Sequence, residues 1–539
     1  MTLNPFSNFR QRLRRVISGF IVDPSTRKFL DHNRKIWGAN KRGGRRDGPE
    51  VLFEFNPFHS SLIAYSYLAN VLADKHGARI VAYGYADSIR WFLYAQLASN
   101  TKKTYLSFNT SQFVNVTVSR KQARHARQFS EEAYARLNST RDVEDLVIDG
   151  IWIGDLVYDA YLKFYRVPTV DLKSQQFKAS LQRFMEYFVF WRDYLDTHEV
   201  KAISVSHCVY TLAIPLRLAV KRGIPVYQAS ALDLYHLSES QQFAYNDFTN
   251  YPEKFRALPQ HVQENGLREA EIRIKRRLSG EIGVDMPYSK KSAYGEIRQK
   301  SIIRKSDRKK ILVAAHCFFD SPHSYGKNLF PDFYEWLSFL GQLSETTDYD
   351  WYIKTHPDFI PETKALVESF AVRFPKFTVL PPETSHHQII KEGIGTALTV
   401  YGTIGLEYAA MGVTVINASI NNPHVGYQFN IHPRSVEEYE SILMNLGQQE
   451  QRSIDLREVH EYYFMRFLHT ADDWLFDDYF ELLKTIGDYR EQFTPRVYEL
   501  FLKEFSSAKH ESILRTLCTF LDSGDFQLNQ EHMDQTRAP

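Results

Sequence analysis

Cysteine is scarce in this chain. Its three copies in 539 residues, Cys208, Cys317 and Cys518, lie far apart. That spacing excludes a disulfide framework and a cysteine zinc site, and makes a reducing compartment the expectation. No apolar run reaches the ~20 residues that cross a bilayer. The segment Phe6 to Val22 is interrupted by Arg10, Arg12, Arg14 and Arg15, which is unlike a secretory signal. Neither sign of charge dominates: 66 basic against 64 acidic residues leave +2, so binding of nucleic acid through global charge is not expected. The chain has no Walker spacing, no GxGxxG, no DxD at a strand end, and no His or Cys pair at ligand spacing. ATP hydrolysis and dinucleotide binding are therefore not indicated, and neither metal nor cofactor is expected.

Aromatic residues are abundant, at 14%. They predict large buried rings or a cleft that stacks sugars. A chain of this length exceeds one core and predicts two to three domains. Apolar runs alternate with helical periodicity in two sets. The first set has strands at Pro49–Phe55, Arg79–Tyr85 and Lys103–Phe108, with helices at Leu62–His76 and Trp91–Leu97. After a mostly helical insertion over 119–199, strands resume at Lys201–His207 and Ile224–Ser230 around a helix at Leu212–Lys221. The second set runs through strands Lys309–Ala315, Asp350–His356, Phe377–Pro382, Ala397–Val400 and Val413–Ile416, with helices between them and a serine N-cap at Ser435.

Strands separated by helices pair in parallel, so the expected fold class is α/β with two Rossmann-like, doubly wound domains facing a cleft, the GT-B arrangement. The domain reading is a basic amphipathic N-terminal segment (1–48), a first Rossmann-like acceptor domain (49–285), a polar connector (286–308), a second Rossmann-like domain for the nucleotide (309–446), C-terminal helices (447–526) and a disordered tail (527–539). In the first segment Phe6, Phe9, Leu13, Ile17 and Phe20 fall near one helical face, and Lys41 to Arg46 add a second basic cluster. Such a helix suits an anionic membrane surface, or docks on its own domain.

The candidate site residues sit where strands end. Gly402, Thr403 and Gly405 form a tight turn between a strand and a helix at Leu406–Met411, whose first amides suit a phosphate. Glu407, early in that helix, can accept from ribose hydroxyls. Lys354 and His356 share one strand face ahead of Pro357. His316 opens a long loop whose Gly326 and Lys327 can approach a phosphate, and Asn421, Asn422 and His424 are candidates for the donor sugar. In the first set Glu54, Asn56 and His59 follow one strand, His207 ends another, and Asp233 and His236 follow a third. A carboxylate there, Asp233 or Glu54, can deprotonate an acceptor or act as nucleophile. Asp155 and Asp159, four apart on a helix, indicate a solvated face or a bonded network.

YIKTHP (Tyr352 to Pro357) and TVYGTIGLEYAAMGVTVIN (Thr399 to Asn417) resemble bacterial surface-polysaccharide glycosyltransferases of GT-B architecture, the capsule group that includes Kdo transferases and some sialyltransferases. The resemblance covers mainly Lys309 to Leu446. It implies a nucleotide-sugar donor, often carried on CMP, with His356 at the donor phosphate and Gly402, Thr403 and Glu407 at the nucleotide. The acidic-Gly-Phe signature of some Kdo transferases is absent. The resulting expectation is a cytoplasmic, metal-independent transferase with Kdo or another ulosonic acid among its candidate sugars. Its partners would be the nucleotide sugar, a glycan or lipid-linked glycan acceptor, and the inner-membrane surface. A CDP-polyol phosphotransferase using His59 or His207 as base, a nucleotide-sugar 2-epimerase and a non-catalytic assembly scaffold are the alternatives.

Overall fold

The computed structural model describes residues 22–38, 48–85, 99–244, 246, 248–286, 289–295, 297, 300–356, 360–446, 453–470, 473–487 and 489–537. The expected N-terminal amphipathic helix, the Lys41–Arg46 cluster, the Trp91–Leu97 helix and Pro357 lie outside them. In chain order the strands are β1 (Glu50–Glu54), β2 (Arg79–Tyr85), β3 (Thr110–Val116), β4 (Val147–Ile148), β5 (Ile151–Trp152), β6 (Val200–Val205), β7 (Val226–Ala229), β8 (Leu234–Leu237), β9 (Lys310–Ala314), β10 (Asp350–Lys354), β11 (Phe377–Val379), β12 (Thr396–Thr399) and β13 (Thr414–Asn417).

The described residues divide into two compact units. One is drawn from Met1–Glu132, Leu181–Ala244 and Ala471–Pro539, the other from Ala133–Ser180 and Tyr245–Thr470. Contiguous domain boundaries do not describe this division. Both ends of the expected helical insertion, 119–132 and 181–199, stay with the first unit, its 133–180 stretch belongs to the second, and the C-terminal helices are shared out between them.

The first unit holds a six-stranded sheet of order β3-β2-β1-β6-β7-β8, parallel except for β8 at the edge. All five residues of β1 are buried, as a strand covered on both faces requires. Two sequence expectations change here. Lys103–Phe108 is not a strand: Ser99–Ser107 is a helix, and the strand follows at β3. Thr104, Tyr105, Ser107 and Phe108 are buried while Leu106 is 52% exposed, which is helical rather than alternating burial. Asn109 then takes φ +70°, turning the chain from helix into strand. Residues 527–537 of the expected disordered tail are ordered as well. Gln527 bridges to Tyr235, Leu528 is 2% and Met533 5% exposed, and Gln530–Arg537 is helical.

The second unit holds a five-stranded, all-parallel sheet of order β11-β10-β9-β12-β13. Alternate strand residues feed two separate cores. Ile311, Val313, Trp351, Ile353, Leu398 and Ile416 pack with the Phe333–Thr346, Pro361–Arg373 and Val436–Met444 helices. Leu312, Tyr352, Ala397 and Val415 pack with Ile389, Ile404 and Tyr408 from the Pro381-to-Gly412 side of the chain. Helices thus cover both faces, the doubly wound architecture expected. In both sheets the strand order reverses beside the first strand of the set, β1 against β6 and β9 against β12. Ligands of open parallel sheets bind outside the carboxyl ends at such a reversal.

Candidate functional site

At the carboxyl ends of β9, β10 and β12 the second unit encloses a cavity of about 400 Å³. Its walls come from Ala314–Cys317 after β9, Lys354–His356 after β10, and Thr399 with Gly402–Ile404 after β12. Arg277, Tyr294, Ile360, Thr363, His386 and Glu407 complete it, together with residues 281–284, 286, 289 and 291–293. The connector expected to be a plain link is therefore one wall of the cavity.

Lys354 reaches the cavity from the last position of β10, 2% exposed. Burial pushes its ammonium down to about 8, with Glu407 and Glu383 opposing. Nζ lies 3.3 Å from His386 Nε2, and His386 Nδ1 lies 2.6 Å from the Tyr408 hydroxyl. An ammonium only donates, so Nε2 accepts and the ring proton sits on Nδ1, donated to Tyr408. Burial holds His386 well below the ordinary imidazole range, with Lys354 adding to the effect, which keeps that ring neutral. His316 is also neutral, pushed down to about 3 by burial. The Val400 amide donates to its Nε2 at 3.1 Å and Thr399 Oγ1 lies at 2.9 Å, which leaves the ring proton on Nδ1. Phe333 stacks on the ring at 4.5 Å. His356 lines the same cavity and is exposed.

The turn after β12 is tight because Thr399 Oγ1 accepts the Gly402 amide at 3.2 Å. A Cβ on Gly402 would meet that oxygen at 2.7 Å, so only glycine fits without a shift. The helix that follows, Ile404–Ala410, starts two residues earlier than expected. Among the described residues the Thr403 and Ile404 amides have no acceptor, and Thr403 and Ile404 both line the cavity. Residues carrying a cation, a neutral imidazole and two open amides thus line one space, a set that suits a phosphate.

Glu407 lines the cavity and is also bonded within the protein. Its Oε1 takes Arg277 Nη2 at 2.6 Å and its Oε2 takes the Tyr294 hydroxyl, so both carboxylate oxygens already have protein donors. Arg277 ends the Gln260–Leu278 helix and Tyr294 belongs to the connector, so Glu407 anchors the cavity wall. Gly405 is absent from the lining. A Cβ there would meet His424 Cε1 at 2.6 Å, so this glycine serves close packing. His424 is 1% exposed, held far below the ordinary imidazole range by burial, and its Nδ1 donates to the Asn430 amide at 3.0 Å. Asn422 is 0% exposed and its amide donates to the Ser419 carbonyl. Both are core residues rather than sugar contacts. Lys327 pairs with Asp145 and lies over Trp152, away from the lining, as does Gly326. Among the described residues no group of three His, Cys, Asp or Glu side chains is placed to hold a metal.

In the first unit Glu54 ends β1, 6% exposed. Burial raises its carboxyl to about 7, although Ser206 donates to it from both its amide (2.8 Å) and its hydroxyl (2.9 Å). A carboxyl poised there suits acid–base work. Asn56 is buried at 4%, its side chain accepting from the Phe58 amide. His59 begins the His59–His76 helix with Nδ1 2.9 Å from the Phe493 carbonyl. Its ring is lowered by burial, and His207, just past β6, is exposed. Asp233 is half-buried in the turn between β7 and β8, where its amide donates to Ser230 Oγ. His236 lies within β8, a strand the apolar pattern did not reveal. With β6 alone between them at ~4.8 Å per strand, the end of β1, at Glu54, and the end of β7, ahead of Asp233, lie roughly 10 Å apart.

Sequence reasoning missed Arg277, Tyr294, His386, Tyr408 and Ser206. Their signal was weak: an isolated cation, a tyrosine in a polar connector, and a His-His pair that reads as surface.

No protein-family model and no curated protein sequence matches the chain. Among solved structures it is similar to a UDP-GlcNAc 2-epimerase from Neisseria meningitidis (9% identity, 77% of this chain and 97% of that one, TM-score 0.21). MurG of Acinetobacter baumannii (9%, 78% and 95%, TM-score 0.23) is another such structure. The wall teichoic acid polymerase TagF (11%, 93% and 98%, TM-score 0.21) is a third. Likeness of this size bears on neither the activity nor the ligand of this chain. Among the described residues no helix is long and apolar enough to cross a membrane.

Proposed function

We propose that the chain is a nucleotide-sugar-dependent glycosyltransferase of the GT-B kind. The donor's phosphates would lie in the second unit's cavity, and the acceptor would be activated in the first. The observation that carries this reading is that Lys354, His316, Thr403 and Ile404 line one cavity at a strand-order reversal. As the bond from anomeric carbon to phosphate breaks, negative charge grows on the leaving phosphate. Preorganised donors there stabilise the transition state more than the ground state. Glu54, with its raised carboxyl, is the better supported base or nucleophile; Asp233 remains the second candidate. A CMP-linked ulosonic acid is the donor proposed from the YIKTHP and YGTIGLEY resemblance, and a bacterial surface glycan the proposed acceptor.

Calorimetric titration with CMP, CDP, UDP and GDP, repeated on Lys354→Met and His356→Ala, tests the reading. Selective CMP binding that weakens in both variants is the expected result. Preference for UDP or GDP would discard the CMP donor while keeping the transferase. Absence of binding by all four would overturn the proposal.

A further inference from the structure

The loop joining β9 to the Phe333–Thr346 helix starts as cavity wall at Ala315, His316 and Cys317. In its middle, His323 is 0% exposed, with Nδ1 2.6 Å from Asp159 Oδ1 and Nε2 3.1 Å from Glu144 Oε1. A carboxylate only accepts, so both ring nitrogens donate and the ring is an imidazolium. Burial alone would push this ring down; the Asp159 and Glu144 carboxylates outweigh it and hold it at about 10. Glu144 also pairs with Arg141, whose second nitrogen donates to the Leu329 carbonyl at 2.6 Å. Glu144 thus has two cationic partners, the buried imidazolium and the partly exposed Arg141. Asp159 is part of a bonded network, and Asp155 beside it is 1% exposed, so the solvated face is ruled out. With Glu144 and His323 at 0% and Asp159 at 1%, the trio cannot meet a substrate, and an acid–base relay is excluded.

The consequence lies along the loop. Two residues before His323, the Ser321 carbonyl accepts the Tyr401 hydroxyl at 3.0 Å. Tyr401 stands next to Gly402, and its ring meets His316 edge-on at 5.0 Å and Tyr325 at 5.1 Å. Phe318 (1% exposed) and Phe319 (9%) before the clamp, and Leu329 (6%) and Phe330 (8%) after it, keep the loop packed on the unit when the clamp is removed.

We propose that His323, clamped between Glu144 and Asp159, is a positioning residue for the cavity, fixing through Ser321 and Tyr401 the wall that carries His316 and the Gly402 turn. The nucleotide readout of this proposal rests on the donor reading above; the loop readout does not.

Cys317 is exposed at the cavity, Cys208 is buried, and Cys518 is exposed elsewhere. In a Cys518→Ser background the rate of Cys317 alkylation by iodoacetamide reports the wall directly. His323→Gln leaves Asp159 without its cation, so the companion variant His323→Gln/Asp159→Asn removes one charge of each sign and guards against misfolding. Both should unfold cooperatively. Cys317 alkylation should change by more than about threefold, and the affinity for whichever of CMP, CDP, UDP or GDP the native chain binds should fall roughly 3- to 30-fold, the span of couplings carried by such networks. Alkylation within twofold of native in the double variant would overturn the positioning role, whatever the affinity does. Altered alkylation in a protein whose native form binds none of the four would support that role while discarding the donor reading.

Discussion

Replacing Lys354 by methionine separates binding from stability. The buried ammonium sits at about 8 against an ordinary 10.5. At ~1.4 kcal/mol per tenfold change in proton affinity, keeping it charged inside the unit costs ~3 kcal/mol. Methionine removes that cost but leaves His386 Nε2 without its donor, a loss of ~1–3 kcal/mol. The ligand-free variant should therefore be as stable as the native chain, or up to ~2 kcal/mol more stable, at pH 7. The sign with pH follows from linkage. Below about 8 both folded and unfolded chains carry the proton, and the full cost is present. Between about 8 and 10.5 the unfolded chain binds more protons, so native stability rises with pH. The variant should lack this rise. Nucleotide binding should move the other way: losing a charge-assisted bond worth ~1.5–3 kcal/mol weakens affinity ~10- to 150-fold. Native affinity should itself fall as pH climbs past about 8. Denaturant unfolding from pH 7 to 10 and calorimetric titration measure both. A ligand-free variant destabilised by more than ~1 kcal/mol, with nucleotide affinity intact, would refute this account of Lys354.

Gly405→Ala drives a Cβ to within 2.6 Å of His424, and overpacking of that kind costs ~1–3 kcal/mol, read as a lower thermal midpoint. Arg277→Met strands the Glu407 carboxylate, 9% exposed, and should destabilise by ~3–5 kcal/mol in urea unfolding, against ~1 kcal/mol for Tyr294→Phe. Glu54→Gln should lower kcat/KM by ~10²–10⁴ and abolish an acid limb near pH 7, measured as transfer rate against pH. Because the fold raises the Glu54 carboxyl from 4.5 to about 7, native stability should fall as pH rises through that window, and Glu54→Gln should flatten the fall.

The apolar runs determined most of the architecture by themselves. Parallel strands buried on both faces must be continuously apolar, and segments such as KILVA and ALTV show this without tertiary information. The Gly402 turn was legible for a similar reason: a strand, glycines and a helix in succession leave open amides wherever they fold. Tertiary structure decided what burial decides. Lys103–Phe108 reads equally as strand or helix, and only its docking under the first sheet's core selects the helix. Glu407 has the chemistry of a ligand contact, yet its partners, Arg277 and Tyr294, come from segments more than a hundred residues away; Asn422 and His424 bond to near neighbours, Ser419 and Asn430, but only the fold buries them. No local pattern records pairings as distant as those of Glu407. The same holds for His323, whose charge is fixed by carboxylates 164 and 179 residues away. Polar residues announce what they can bond to, and only the folded chain decides which bond is already taken.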